Sequence, residues 1–217
     1  MAPGQAPTSS QVTVIGAGGH GRVVVDALRS TGWAAADITV RDDRAGASPL
    51  HFLGCHRACP ACPDGGLAGP VHVALGSAQA REALLRRAAA DQAAWLTVCH
   101  PRAHVAGSAA VGGGSFIAAM AVVGPDAQLG LGVIVNHGAV VDHDCVVGDF
   151  CHVAPNATLG GGVRLGRRLL IGAGAVVLPG LHLGDDVVVA AGAVVVNDLP
   201  VGARVAGVPA RPMGDSE

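Results

Sequence analysis

From Val105 to Pro200 the chain repeats every six residues. The head of each hexad is Val105, Val111, Ile117, Val123, Leu129, Val135, Val141, Val147, Val153, Leu159, Leu165, Ile171, Val177, Leu183, Val189 and Val195, sixteen aliphatic residues without a slip of register. The fifth position is small or apolar throughout, as in Ala109, Ser115, Ala121, Cys145, Cys151 and Ala193. The second position is often glycine, as at Gly112, Gly124, Gly130, Gly148, Gly160, Gly166, Gly172 and Gly184. A period of six fits neither a 3.6-residue helix nor a plain alternating strand. It is the pattern of a parallel β-helix built from hexapeptides. Each hexad lays down one short strand and turns a corner, and three hexads close a triangular turn of eighteen residues. The head and fifth positions point inward and stack on their equivalents one coil away. The second-position glycines are expected to supply positive φ at the corners. Sixteen hexads make a little over five coils with no inserted loop, and such a prism buries its core only by stacking.

Composition agrees with a narrow interior: the 217 residues include 33 Gly, three Phe, two Trp and no Tyr. The formal charge of −2 gives no basic field for nucleic acid. No run of ~18 uninterrupted apolar residues suggests insertion into a membrane. Residues 1–10 lack both a basic region and an apolar core and read as a disordered leader rather than a signal peptide. Six cysteines without a secretion signal point to a reduced, cytoplasmic protein.

Residues 11–98 read as a Rossmann-like α/β domain and residues 99–217 as the β-helix with a C-terminal tail. Val12 to Ile15 is a short apolar strand, followed by the turn Gly16-Ala-Gly-Gly-His-Gly21 and a helix from Arg22 to Gly32. Strand, glycine-rich turn and helix is the frame in which backbone N–H groups hold a phosphate, although a glycine-rich turn also occurs with no ligand. The unit is too short for a full dinucleotide fold, so a smaller nucleotide site is expected. Ile38 to Asp43 is a second strand, with Asp42 and Asp43 either at a ligand-binding edge or simply starting a turn. Cys55, His56, Cys59 and Cys62 supply the donor types of a zinc site, but their compressed spacing and the flanking Pro60 and Pro63 favour an irregular loop with no metal. Val71 to Leu75 is a third strand, and Glu82 to Gln92 a second helix.

Within the prism the informative residues are the polar ones that interrupt the pattern. Asn136 is second in its hexad, Asp142-His143-Asp144 occupy second, third and fourth positions one hexad later, and His152 is sixth in the next. None is at an inward position, so they project from corners or outer faces. A histidine flanked by carboxylates has the parts of a general base; a solvated histidine beside turn-forming aspartates is the plainer alternative.

The chain resembles the hexapeptide-repeat acyltransferases, and more narrowly the nucleotide-sugar N-acetyltransferases of the bacillosamine and perosamine type and the related sialic acid O-acetyltransferases. The resemblance is carried in order by Ile15-Gly-Ala-Gly-Gly-His-Gly21, Asp42-Asp43, Val73-Ala-Leu-Gly76, His100-Pro101, Asn136-His-Gly-Ala-Val-Val-Asp-His-Asp-Cys145, Gly148-Asp-Phe-Cys-His152, Gly172-Ala-Gly-Ala-Val-Val-Leu-Pro179 and Gly207-Val-Pro-Ala210. It implies a left-handed β-helix, a homotrimer with prisms side by side, and acetyl-CoA in the groove between them. His143 falls on the family's catalytic base, Asp144 on the residue that raises its basicity, and Asn136 on a polar residue near the reacting groups. His152 falls on an acetyl-CoA contact, and Gly161, Ala173 and Ala191 on backbone contacts to the pantetheine arm. Gly18, Gly19 and His20 would meet the phosphates of a nucleotide sugar, and Asp42 and Asp43 its base and ribose, with Gly76 nearby. Arg41, where family members often carry an apolar residue, and the compact Cys-Pro loop depart from the family pattern.

The implied reaction is direct, metal-free N-acetylation of an amino sugar. O-acetylation of a sialic acid or other sugar hydroxyl is the alternative within enzymes, although Arg22, Arg41, Arg44 and Arg57 form no clear cationic cluster. A non-catalytic trimeric scaffold is the alternative outside them. An acyl-enzyme on Cys145 or Cys151 is a rival route, but both occupy inward fifth positions where buried structural thiols are expected.

Overall fold

The computed structural model describes residues 11–43, 51–67 and 69–213. The leader expected at residues 1–10 and Arg44 lie outside them. The chain divides into two compact units, Met1–Pro101 and Arg102–Glu217.

The first unit is a sheet with two helices. Its elements are β1 (Val12–Ile15), α1 (Gly19–Ser30), β2 (Ile38–Arg41), β3 (His51–Phe52), β4 (Cys55–Ala58), β5 (Pro70–Val73), α2 (Ala78–Ala90) and β6 (Ala94–Trp95). The strand order is β3-β4-β2-β1-β5-β6. All pairs are parallel except the β3–β4 hairpin. Val12, Val14, Ile38, Val40, Val71 and Val73 are buried, as in a parallel sheet covered by helices. Helix α1 buries Val24, Val25, Ala27 and Leu28 and ends at Ser30, two residues before the expected Gly32, whose φ of +99° turns the chain away. It begins at Gly19, three residues before the expected start, so Gly19 and His20 are in its first turn and Gly18 is its N-cap. Helix α2 begins four residues before the expected Glu82, because the Ser77 hydroxyl accepts the Ala80 N–H at 3.3 Å.

Cys55–Ala58 corrects the expectation of an irregular loop. Cysteine, histidine, arginine and alanine carry little strand preference, but pairing along Thr39–Arg41 fixes them as β4. Cys55 is fully buried, whereas His56 and Cys59 are exposed. Among the described residues no group of His, Cys, Asp or Glu side chains is arranged to hold a metal ion. No described helix is long and apolar enough to cross a membrane.

The second unit is a parallel β-helix with three faces of two-residue strands. On one face His104–Val105, Val122–Val123, Val140–Val141, Thr158–Leu159, Val176–Val177 and Val194–Val195 stack in register. The offset is eighteen residues, so Val105 pairs with Val123 and Val123 with Val141. Every head from Ile117 to Val195 is buried. Each fully buried valine or leucine contributes ~1.5–3 kcal/mol relative to an exposed one. The coils are tied by backbone bonds from strand N–H groups to the carbonyls seventeen residues later, such as Val122 to Ala139 and Val140 to Ala157, both at 2.9 Å. Arg204–Ala206 adds to the stack and Arg211–Pro212 folds back antiparallel on it, which covers that open edge.

The second-position glycines serve a purpose different from the one expected. None of those eight has positive φ. They are required because the next coil is too close: a Cβ on Gly148 would lie 2.2 Å from the Gly166 oxygen, and one on Gly112 2.3 Å from the Gly130 oxygen. The left-handed corner is the fourth position instead. Every fourth position from Gly114 to Gly192 has positive φ, including Met120, Asp144, Phe150 and Arg168.

The two corner positions are therefore sensitive to different changes. Gly148→Ala should cost ~1–3 kcal/mol by overpacking against backbone. Gly162→Asn, at φ +71° with nothing near its missing Cβ, should cost less than ~1 kcal/mol, because asparagine tolerates that conformation. Urea midpoints at constant slope would check the order.

Candidate active site

His143 projects from the corner that follows Val140–Val141. Its backbone N–H donates to Asp142 Oδ1 at 2.7 Å, which holds the turn. Asp144, at φ +59°, turns its carboxylate back on the ring and accepts from Nδ1 at 2.7 Å. The proton shared with Asp144 therefore sits on Nδ1, and Nε2 keeps its lone pair. The His143 pKa is raised above its ordinary value, first by the Asp144 hydrogen bond and then by the Asp142 charge. The pair is exposed to solvent. One coil later, Gly161 leaves the space that the ring occupies: a Cβ there would lie 2.5 Å from both Cε1 and Nε2 of His143. Gly161 is therefore in direct contact with the candidate base.

Asn136 is on the preceding corner. Its Oδ1 accepts the His137 N–H at 2.9 Å, and its Nδ2 is 3.1 Å from His152 Nε2. His152 is reached because its strand stacks directly on Ile134–Val135. Ala173 and Ala191 are third positions of the same corner column, one and two coils beyond Pro155, and both are exposed.

The expected prism residues thus form two groups. Asn136, His152, Ala173 and Ala191 line one corner, and His143, Asp144 and Gly161 line the next. Successive corners are six residues apart along the coil, with the Val140–Val141 strand between them. An open cavity of about 570 Å³ bounded by Arg164, His182, Asp198 and Pro200 includes neither group. Cys145 and Cys151 are fully buried, and their thiols donate to the Gly160 and Gly166 carbonyls at 3.2 and 3.1 Å. Burial pushes the Cys145 thiol above its usual pKa, which makes it a poor nucleophile.

In the first unit the expected residues gather at one sheet edge. Ile15 pairs with Arg41 and with Val73, so the segments after β1, β2 and β5 emerge side by side. Gly16, at φ +114°, lies where a Cβ would meet the Ala74 oxygen at 2.8 Å, and Gly21 where one would meet the Gly16 oxygen at 2.1 Å. The first and third glycines of the motif are thus demanded by packing. Gly18 and Gly19 open α1, whose first turn has no acidic residue to offset its dipole. Asp42 is buried and accepts the Ala17 N–H at 2.7 Å. Asp43 Oδ1 accepts the Ala61 N–H at 2.8 Å, and Arg41 donates to the Pro60 carbonyl at 2.8 Å. The atypical arginine and the atypical Cys-Pro loop are therefore one feature, a loop pinned to the end of β2. Gly76 is held by Arg81, which is fully buried and donates to the Leu75 and Gly76 carbonyls at 2.7 and 3.1 Å.

Sequence reasoning did not identify Arg81 or the part Gly161 plays beside His143. Signals for both were present: Arg81 stands at helical spacing with Leu85 and Ala88, and Gly161 is one eighteen-residue period after His143. The carboxylates should be visible in the His143 titration. Its ring should titrate above the ordinary 6.5 by NMR, and Asp144→Asn should lower that pKa, because a neutral amide stabilises imidazolium less than a carboxylate.

The fold has counterparts in known proteins. Residues 11–88 match the family model described as the PglD N-terminal domain. No curated protein sequence matches the chain significantly. Among solved structures, a histidine-to-alanine variant of GDP-perosamine N-acetyltransferase from Caulobacter crescentus, in complex with CoA and GDP-perosamine, is 36% identical with a TM-score of 0.86, over 94% of this chain and 97% of that one. The acetyltransferase domain of PglB from Neisseria gonorrhoeae, in complex with acetyl coenzyme A, is 37% identical with a TM-score of 0.84, over 94% and 99%. WeeI from Acinetobacter baumannii is 25% identical with a TM-score of 0.81, over 94% and 99%. With more than a third of its residues shared over nearly the full length of two of these relatives, the chain belongs to the left-handed β-helix sugar acetyltransferases of the perosamine and bacillosamine N-acetyltransferase type.

Proposed function

We propose that the protein transfers the acetyl group of acetyl-CoA to the amino group of a nucleotide-linked amino sugar, of the 4-amino-4,6-dideoxy type. The observation that carries the reading is the His143–Asp144 pair, whose Nδ1 is committed to the carboxylate and whose Nε2 retains a lone pair. Relatives support the substrates: GDP-perosamine N-acetyltransferase is solved with CoA and GDP-perosamine, and PglB with acetyl coenzyme A. In the proposed reaction the sugar nitrogen attacks the thioester carbonyl carbon while His143 Nε2 takes a proton from it. Asp144 stabilises the imidazolium that forms. The tetrahedral intermediate collapses with cleavage of the C–S bond, and the CoA thiolate leaves and takes up a proton. The nucleotide would lie at the carboxyl edge of the first unit's sheet, with its phosphates toward Gly18, Gly19 and His20 and its base and ribose toward Asp42, Asp43 and Gly76. O-acetylation of a sialic acid is less well supported. Its carboxylate calls for a cationic contact, whereas Arg41 holds Pro60, Arg81 is buried and Arg22 stacks 5.0 Å over Phe52. The six free cysteines fit a cytoplasmic setting.

The spacing of the two corners supports a site shared between copies of the chain. His143 and the Asn136–His152 pair stand on different corners of one prism, and we assign the two groups to facing corners of neighbouring subunits in a homotrimer. The column Val122, Val140, Thr158, Val176 and Val194, which alternates with the inward heads and is only half-buried in the single chain, is an apolar surface suited to that contact.

Two experiments test the reading. His143→Ala should lose at least ~99% of turnover, as expected for loss of a general base, while still binding acetyl-CoA; thiol release with UDP-, GDP- and dTDP-linked 4-amino sugars would measure it, and near-normal turnover would exclude His143. Mixing inactive His143→Ala chains with Asn136→Ala chains through dissociation and reassembly, assayed at acetyl-CoA well below its KM where the second variant is also impaired, should raise activity above the sum of the two alone, because some interfaces then contain both intact groups. No recovery in reassembled hybrids would exclude a shared site.

A further inference from the structure

We infer that Asn136 is a positioning residue that holds His152 as a neutral ring protonated on Nδ1, an inference that rests on the acetyltransferase reading for its functional consequence. The orientation of the Asn136 amide is settled by its other contact. The backbone N–H of His137 donates to it at 2.9 Å, and only the amide oxygen can accept there. The atom 3.1 Å from His152 Nε2 is consequently the NH2 group, which can only donate. The ring nitrogen facing it must offer a lone pair, so Nε2 is bare and the ring proton sits on Nδ1. Flipping the amide would set its NH2 against the His137 N–H and lose that bond. Neither backbone is free to rearrange. The Asn136 N–H is bonded to Val153 O at 2.9 Å and the His152 N–H to Leu169 O at 2.8 Å, and the His152 strand is paired on both sides.

The prism thus sets its two site histidines in opposite ways. A carboxylate beside His143 leaves Nε2 as a base. An amide donor beside His152 ties up Nε2 and leaves a neutral ring with an N–H on the other edge. A ring in that state recognises a hydrogen-bond acceptor, such as a carbonyl oxygen of the thioester or pantetheine arm, and does not compete with His143 for the substrate proton. Asn136 then acts on acetyl-CoA through His152.

Long-range ¹H–¹⁵N spectra of the full chain, with His152→Gln to identify the ring signals, read the tautomer directly. The native His152 should show a protonated Nδ1 and a bare Nε2. Asn136→Asp keeps an acceptor for the His137 N–H but replaces the donor, so it should move a proton onto Nε2. Asn136→Ala removes the donor without adding a charge and should raise KM for acetyl-CoA about tenfold, the size of one lost hydrogen bond, with KM for the sugar nucleotide changed less than about twofold. A protonated Nε2 in the native protein overturns the inference, and this measurement needs no variant at position 136. An Nε2 that stays bare in Asn136→Asp, or an acetyl-CoA KM that is unchanged in Asn136→Ala, also overturns it. If the native protein acetylates no sugar nucleotide, the parent reading fails, and the nitrogen spectra still decide the tautomer.

Discussion

The close approach of successive coils is the constraint on which the prism and its chemistry depend. Each rung bonds through its backbone to the next, and where a glycine holds the second position the corners nest so tightly that a methyl group there would penetrate the coil above it. That nesting drives the chain into the left-handed region at each fourth position, whatever residue is there. Asp144 is one of those residues, and its positive φ is what folds its carboxylate back onto the ring of its own neighbour. The candidate base is therefore built by the same geometry that closes the coil.

The first unit uses a different device to a similar end. Three parallel strands deliver their following segments to one edge, and side chains then fasten those segments to one another. Asp42 ties the glycine-rich turn to β2, Asp43 and Arg41 tie down the Cys-Pro loop, and Arg81 ties down the segment after β5. Two acidic residues that read as ligand contacts already spend one oxygen each on shaping the edge.

The architecture of the prism was legible because a six-residue aliphatic period with small fifth positions has few other solutions. The reason for its glycines was not. Sequence suggests conformational freedom, whereas the limit at Gly148 and Gly112 is space, and space depends on a coil eighteen residues away. Left-handed corners at Met120, Phe150 and Arg168 were equally hidden, since nothing in those residue types favours them. Strand β4 was missed because its neighbour, not its own composition, makes it a strand. Of the candidate site, the pairing of His143 with Asp144 could be read from adjacency. The pairing of Asn136 with His152 needs the strand register and the orientation of one amide.

The eighteen-residue repeat also determines which length changes such a protein can tolerate. Inserting or deleting eighteen residues before Asn136 would carry the candidate site along the prism axis by about one strand spacing, ~4.8 Å, and leave it on the same corner. A change of six residues would preserve every inward aliphatic position and every buried contact type, yet turn all the site residues onto another face of the prism. Folding would scarcely register the difference, whereas a site assembled between neighbouring copies would be lost. Natural length variation in this region should then come in whole coils, with selection for the assembled site, rather than for the fold of one chain, removing the rest.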